Sequence, residues 1–228
     1  MATKIDKNIV DYSVKRRSDT PPTPERPAKA EVIQMHERYE RPNMLVGSTY
    51  KVKTPLSEHA LYVTINDVVL NPGTEHEQRR PFEVFINSKN MEHFQWIVAL
   101  TRIISAVFRK GGDVTFLAEE LQAVFDPRGG YFKKGGKYIP SLVAEIGEAI
   151  EHHMQSIGLL EIPELEEQQK QLIADKRRQF EEAEGMKLDD NSQDFPESAQ
   201  LCYKCSTRAT VLMDGCMTCL NCGDSKCG

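Results

Sequence analysis

The stretch "PFEVFINSKNMEHFQWIVALTRIISAVFRKGG" (residues 81–112) changes its hydrophobic period halfway along. Between residues 81 and 88, apolar and polar residues alternate and place Phe82, Val84 and Ile86 on one face, which is typical of a β-strand. From residue 94 onwards the apolar side chains recur at helical spacing (Phe94, Ile97, Leu100, Ile104, Val107 and Phe108). Two cations followed by two glycines, at residues 109–112, are typical of a helix end. The stretch therefore predicts a strand that leads into a helix.

Further strand and helix patterns flank this stretch. "STYKVKT" (48–54) and "ALYVTIND" (60–67) alternate like strands, and "TPLSEH" (54–59) suits a hairpin connection. "FLAEELQAVF" (116–125), with Asp113 or Thr115 as its cap, and "LVAEIGEAIEHHM" (142–154), with Ser141 as its cap, are predicted helices. Strands first and helices afterwards predict an α+β domain over residues 41–155, in which helices pack on an antiparallel sheet.

The segments on either side of this domain differ in composition. Residues 1–40 are predicted to form an extended N-terminal arm, because "SDTPPTPERPAKAE" (18–31) is rich in proline. Apolar residues between Ile5 and Val14 could dock on a partner. Residues 156–200 are predicted to hold a charged helix (163–184), acting as a spacer or as a partner-binding helix, and a flexible linker (185–200).

The composition excludes some classes of protein. A net charge of −5 and a pI near 5.8 argue against a general nucleic-acid binder. No apolar run is long enough to span a membrane, and the N-terminal residues do not resemble a signal peptide. We therefore expect a cytoplasmic protein, in which clustered cysteines bind metal or act in catalysis more often than they form structural disulfides.

All six cysteines lie in the final segment, residues 201–228. The spacing Cys-x2-Cys-x10-Cys-x2-Cys is typical of a zinc ribbon, and it predicts a structural zinc ion held by Cys202, Cys205, Cys216 and Cys219. So short a segment cannot bury a core and needs a metal or cross-links to fold.

Two cysteines remain, and they leave an alternative open. Because Cys222 continues the second pair as Cys-x2-Cys-x2-Cys, the sequence also permits Cys202, Cys205, Cys219 and Cys222 as the metal ligands. In the simplest partition, the first four thiols bind zinc, and Cys222 and Cys227 form a dithiol that can exchange disulfides. Lys226 would favour the reactive thiolate of Cys227.

"GCMTCLNCGDSKCG" (215–228) resembles the C-terminal end of class II, adenosylcobalamin-dependent ribonucleotide reductases, which close in a cysteine-rich zinc finger. "RPNMLVGSTYKVKTP" (41–55), "LYVTIND" (61–67) and "PFEVFINSKN" (81–90) are similar to the domain before that finger, the TSCPD domain. The resemblance covers roughly residues 41–155 and 200–228. It implies that Cys222 and Cys227 re-reduce an active-site disulfide after each turnover, with Cys202, Cys205, Cys216 and Cys219 as the finger's zinc ligands.

The chain also departs from that family. No cysteine precedes Cys202, so neither a radical cysteine nor the disulfide-forming pair of the catalytic barrel can lie here. The resemblance therefore implies the small, C-terminal subunit of a split reductase, with adenosylcobalamin and the nucleotide bound by a separate barrel subunit. Electrons for deoxyribonucleotide synthesis, and hence for DNA replication, would arrive from thioredoxin or glutaredoxin.

The rival prediction is a non-enzymatic zinc-ribbon adaptor that binds nucleic acid or protein. The acidic charge and the two additional cysteines argue against it. Three weaker candidates are given ordinary structural roles. "RGGYFKKGGK" (128–137) is predicted to be a loop and not a phosphate site. His152 and His153 are predicted to have capping or surface roles at a helix end, and Trp96 to lie in the core or in an interface.

Overall fold

The computed structural model describes residues 32–36, 38–55, 57–89, 94–162, 165–185 and 195–227. The predicted docking segment Ile5–Val14 and most of the predicted linker lie outside these residues. The first part of the fold comprises strands β1 (Val46–Val52), β2 (Leu61–Leu70), β3 (Gln78–Ser88), β4 (Tyr131–Phe132) and β5 (Tyr138–Ile139), with helices α1 (Phe94–Lys110), α2 (Phe116–Gln122) and α3 (Leu142–Ser156). Helix α4 (Glu167–Glu184) and strands β6 (Gln200–Leu201), β7 (Arg208–Met213), β8 (Cys216–Cys219) and β9 (Ser225–Cys227) follow. None of the described helices has the length and apolar character needed to cross a membrane.

The predicted α+β class is confirmed. Strands β1, β2 and β3 form an antiparallel sheet in that order, and helices α1, α2 and α3 contribute to the core on one of its faces. Alternate residues of β2, including Val63 and Ile65, are fully buried against Phe108 of α1 and Ile150 of α3. The alternation seen in the sequence therefore marks the face that the helices cover.

A β-bulge divides the core into two clusters. The register between β2 and β3 shifts at Asn66 and Asp67, so the buried residues change from odd to even positions and continue with Val68 and Leu70. Val68 and Leu70 pack with Phe82 and with Met35, which the sequence placed in the N-terminal arm. The described end of that arm thus packs on the sheet.

The helix ends follow the local sequence signals. Helix α1 ends at Lys110, before two glycines that both have positive φ. Ser141 caps α3 as predicted, since its Oγ accepts a hydrogen bond from the Ala144 N–H at 3.0 Å. Helix α2 is shorter than predicted and ends at Gln122, which leaves the side chain of Phe125 exposed.

A buried polar chain links the sheet to α3. Nε2 of His153 lies 2.7 Å from Oδ1 of Asp67, and Nδ1 lies 2.9 Å from the hydroxyl of Tyr50. The other carboxylate oxygen of Asp67 accepts a hydrogen bond from Arg79 at 2.6 Å. Asp67 and His153 are both fully buried, so the prediction of a surface role for His153 is wrong. A buried carboxylate is stable only when it is paired, and this one has two charge-assisted partners.

The glycine- and lysine-rich segment at 128–137 contributes to the hairpin β4–β5. Lys133 contacts the buried carboxylate of Glu145 and also Glu148, which in turn contacts Lys137. Tyr131 donates a hydrogen bond to Glu145, and burial together with this contact raises the pKa of the phenol. The two lysines therefore pair with acids of α3, in keeping with the predicted structural role.

Candidate metal centre and disulfide

The cysteines lie in a small antiparallel sheet of order β6-β7-β8-β9. Residues Cys202–Cys205 form the turn between β6 and β7, and residues Cys219–Cys222 form the turn that follows β8. A two-residue turn at Asp214 and Gly215, both with positive φ, joins β7 to β8, as the sequence "DG" indicates. The sheet thereby brings two Cys-x-x-Cys turns to the same place.

Four thiols converge between these turns. The Sγ atoms of Cys202, Cys205, Cys219 and Cys222 all lie within 4.8 Å of one another. Two of the pairs are closer, with 3.8 Å between Cys202 and Cys222 and 3.7 Å between Cys205 and Cys219. A tetrahedral zinc site with Zn–S bonds of about 2.3 Å places its sulfurs about 3.8 Å apart. These four close cysteines could therefore bind a metal ion such as zinc.

The two turns share a backbone pattern. The N–H of Ser206 bonds the carbonyl of Cys202 at 3.0 Å, and the N–H of Gly223 bonds the carbonyl of Cys219 at 2.9 Å. Ser206 and Gly223 both have positive φ. Each turn thus folds back immediately after its second cysteine, so that both thiols of the pair point to the same side. The equivalence of the turns identifies them as the two halves of the site.

The thiol of Cys216 lies outside this cluster, although the preferred prediction counted it among the metal ligands. Residues 216–219 form strand β8, and positions three apart on a strand point to opposite faces of the sheet. Cys216 and Cys219 therefore cannot chelate one ion in the way that a turn allows. The structure instead brings together the alternative set, which includes Cys222.

The structure also pairs the remaining cysteines differently from the predicted redox pair. Cys216 forms a disulfide with Cys227, its direct partner in the register between β8 and β9, while Cys222 belongs to the four-thiol cluster. Cys227 is exposed and Cys216 is partly exposed. The six cysteines thus divide into one metal-type cluster and one disulfide. The Gly223 that closes the second turn was the signal in the sequence that could have indicated this division.

The electrostatics of the cluster favour an added cation. Burial raises the pKa of the Cys205 thiol, but hydrogen bonds from Asn221 and Thr207 outweigh this effect and lower the pKa to about 7. Burial raises the pKa of the Cys219 thiol, and the neighbouring charge of Cys205 raises it further. Burial likewise raises the pKa of the Cys222 thiol. A bound divalent cation would offset the repulsion between thiolates and favour the deprotonation of all four.

The first cysteine turn is fixed to the hairpin β4–β5. The Tyr138 N–H donates to the Ser206 carbonyl at 2.7 Å, and the Arg208 N–H donates to the Gly136 carbonyl at 2.8 Å. The guanidinium of Arg208 also lies 4.9 Å from the centre of the Phe132 ring. Residues 206–208 therefore extend the hairpin like an additional strand.

Helix α4 packs against the second cysteine turn. Arg177 donates to the carbonyl of Leu220 at 2.8 Å, and Gln169 donates to the carbonyl of Cys222 at 3.3 Å. Ile173 lies against Gly223, and Phe180 is buried with Leu220. The charged helix thus packs on the cysteine module, which differs from the predicted spacer, and the alternative of a partner-binding helix stays a prediction.

A comparison with protein-family profiles matches residues 35–154, which are 120 of the 228 residues, to the TSCPD domain. This domain is found in class II adenosylcobalamin-dependent ribonucleotide reductases. No curated protein and no solved structure matches the chain. The matched range begins at Met35 and ends at Met154, and it therefore covers the three-stranded sheet with its helices. The chain belongs to the TSCPD domain family.

Proposed function

We propose that this chain is an accessory subunit of a class II ribonucleotide reductase. In this role it relays electrons from thioredoxin or glutaredoxin to the active-site disulfide of a separate catalytic barrel subunit. The observation that carries the proposal is the exposed disulfide Cys216–Cys227, which lies beside a four-cysteine cluster in a chain of the TSCPD family. In this proposal, Cys216 and Cys227 have the redox role that the sequence analysis assigned to Cys222 and Cys227.

The chemistry of the relay is thiol–disulfide exchange. A dithiol donor reduces the Cys216–Cys227 disulfide through a mixed disulfide, and the resulting dithiol reduces the disulfide of the barrel in the same way. Each cycle moves two electrons and two protons through the pair. The nucleotide chemistry and adenosylcobalamin belong to the barrel subunit.

The four-thiol cluster is given a structural role in this proposal. Zinc has no redox chemistry of its own, and when bound it would hold the turns at Cys202–Cys205 and Cys219–Cys222 together. Cys202 and Cys219 are buried, as is Leu220, which lies in the second turn and packs with Phe180 of α4. The cluster thereby fixes strand β8, which carries Cys216.

An exposed apolar surface on α1 supports the presence of a protein partner. Trp96 is 69% exposed and Ile103 is 63% exposed, and they lie seven residues apart on the same side of the helix. Exposed apolar groups of this size mark interaction surfaces. We assign this surface to contact with the barrel subunit.

The test is turnover by the complex of this chain with its catalytic subunit, purified from the native host. A Cys216→Ser, Cys227→Ser double variant should complete a first turnover, because the reduced barrel already holds the two electrons needed. Repeated turnover with thioredoxin should be lost, and dithiothreitol should partly restore it.

The matched control is Cys222→Ser, which removes a cluster thiol and leaves the disulfide pair intact. If this variant loses zinc, any fall in its turnover measures the structural contribution of the cluster, because its disulfide pair can still transfer electrons. Normal repeated turnover of the double variant with thioredoxin would overturn the relay and favour the adaptor function.

A further inference from the structure

The two sulfurs of the disulfide have unequal surroundings. Cys216 lies at the start of β8, an inner strand that pairs with β7 on one side and with β9 on the other. Cys227 lies on β9, the edge strand of the sheet. Cys227 is exposed, whereas Cys216 is partly covered. A reagent in solution therefore approaches Cys227 more readily.

Strand β8 is held from several directions. Its residues Thr218 and Cys219 are buried, and Cys219 belongs to the four-thiol cluster. Leu220, directly after the strand, is fully buried, and its carbonyl accepts the hydrogen bond from Arg177 of α4. These contacts do not involve the disulfide, so the backbone at Cys216 keeps its place when the disulfide opens.

Strand β9 makes fewer stabilising contacts than β8. It contains three residues, all exposed, and among the described strands it pairs only with β8. The hydroxyls of Ser225 and Thr218 are 2.9 Å apart, and the Cys219 N–H donates to the Asp224 carbonyl at 2.7 Å just before the strand. So short an edge strand is marginal without a covalent link. The disulfide is therefore a large part of what holds β9 against β8.

We propose that Cys227 is the sulfur that exchanges with partner proteins, that Cys216 is the anchored resolving cysteine, and that reduction releases β9 from β8. The proposal rests on the redox role proposed above for this pair.

Reduction of the Cys216–Cys227 disulfide by a partner dithiol proceeds in two exchange steps. A partner thiolate attacks Sγ of Cys227, the Cys216–Cys227 bond breaks, and Cys216 leaves as a thiolate that takes up a proton. The partner's second thiolate then attacks the partner sulfur of the mixed disulfide and releases Cys227. Two electrons have passed to the pair, and the partner has become a disulfide.

In the second half of the cycle, the Cys227 thiolate attacks a disulfide of the acceptor and forms a mixed disulfide, releasing one acceptor thiol. Cys216 then attacks Sγ of Cys227, re-forms the Cys216–Cys227 bond and releases the second thiol. Once β9 is free, the four residues after Gly223 span at most roughly 14 Å. Cys227 therefore moves over a short distance while the rest of the module stays attached to α4 and to the hairpin β4–β5.

The test compares the single variants Cys216→Ser and Cys227→Ser, both zinc-loaded and reduced, during reaction with oxidised glutathione. Mass spectrometry of peptides measures the rate at which each remaining thiol forms a mixed disulfide. We expect Cys227 in the first variant to react at least about tenfold faster than Cys216 in the second, because access controls the rate of exchange. Equal rates, or faster reaction at Cys216, would overturn the assignment.

A second measurement uses the unaltered protein and therefore does not depend on the folding of either variant. Amide hydrogen exchange of the oxidised and the reduced forms should show that protection is lost at 225–227 on reduction and retained at 217–219. Equal protection of β9 in the two forms would show that reduction does not release it. Neither measurement contains a reductase, so a failure of either one can be distinguished from a failure of the turnover test, which concerns the relay itself.

Discussion

Replacing Asp67 with asparagine tests the buried polar chain between the sheet and α3. The side chain keeps its shape but loses the charge that His153 and Arg79 both contact. Asparagine can accept a hydrogen bond from one of these donors, and its own N–H groups then face the other. Arg79 is 36% exposed along its side chain and can turn to water, whereas His153 is 1% exposed and cannot.

The expected cost follows from these contacts. A hydrogen bond to a charged group contributes about 1.5–3 kcal/mol, and breaking a buried ion pair costs about 3–5 kcal/mol. The cost of breaking the buried pair already includes the loss of its hydrogen bond, so the two values are not added, and we expect Asp67→Asn to lower the free energy of unfolding by about 3–5 kcal/mol. A typical domain is stable by about 5–15 kcal/mol, so the loss should be large enough to measure easily.

The assay is urea unfolding in excess zinc, followed by far-ultraviolet circular dichroism. The matched control is Asp175→Asn, which breaks an exposed ion pair with Arg178 on α4 and should cost less than about 0.5 kcal/mol. If Asp67→Asn lowers the free energy of unfolding by less than about 1 kcal/mol, the buried polar side chains of Tyr50, His153, Asp67 and Arg79 do not stabilise the domain in this way.

Three other changes test separate parts of the structure. Gly136→Ala should weaken attachment of the cysteine module by about 1–2 kcal/mol, because the φ of +74° at this position is strained for alanine and the new Cβ would lie 3.2 Å from the carbonyl oxygen of Arg208 in β7. The control is Gly73→Ala, which has the same φ but lies in open space. Hydrogen exchange should show a larger loss of protection in the cysteine module for Gly136→Ala than for Gly73→Ala. Trp96→Ser should leave the unfolding midpoint nearly unchanged but weaken binding to the barrel subunit at least about tenfold, as measured by titration calorimetry. An unchanged affinity would show that α1 is not part of the interface. The hydrogen bond from Arg41 lowers the pKa of Glu83, so its stabilisation exists above the ordinary carboxyl pKa and disappears as the pH falls through the lowered value. Arg41→Gln should therefore reduce stability at neutral pH, and a difference from wild type that persists in strong acid would contradict this origin.

The sheet and its helices could be predicted because their buried residues recur at every second position in the strands and at helical spacing in the helices. The three strands and helix α1 lie within a few residues of their predicted positions, since alternation and helical spacing mark the faces that become buried. The buried pair of Asp67 and His153 could not be found in this way. Charged residues are usually exposed, and only the tertiary structure shows that a strand and a distant helix bring these two together.

The division of the cysteines was predicted in part. Spacing alone allowed two ligand sets, and a regular zinc-ribbon spacing favoured the one that includes Cys216. The deciding factor is local backbone conformation, because residues 216–219 form a strand and residues 219–222 form a turn closed at Gly223. The packing of α4 was missed since its buried stripe is narrow, and of the residues in this helix only Ile173 and Phe180 are buried.

The zinc content of two matched variants, Cys216→Ser and Cys222→Ser, tests the division of the six cysteines most directly. Both replace one cysteine of the same small sheet with serine, and metal analysis of the purified proteins gives the ion content per chain. We predict that Cys216→Ser retains its zinc, because its sulfur lies in the disulfide, and that Cys222→Ser loses zinc, because its sulfur lies in the four-thiol cluster. Loss of zinc from Cys216→Ser together with full retention in Cys222→Ser would contradict this division of the six cysteines.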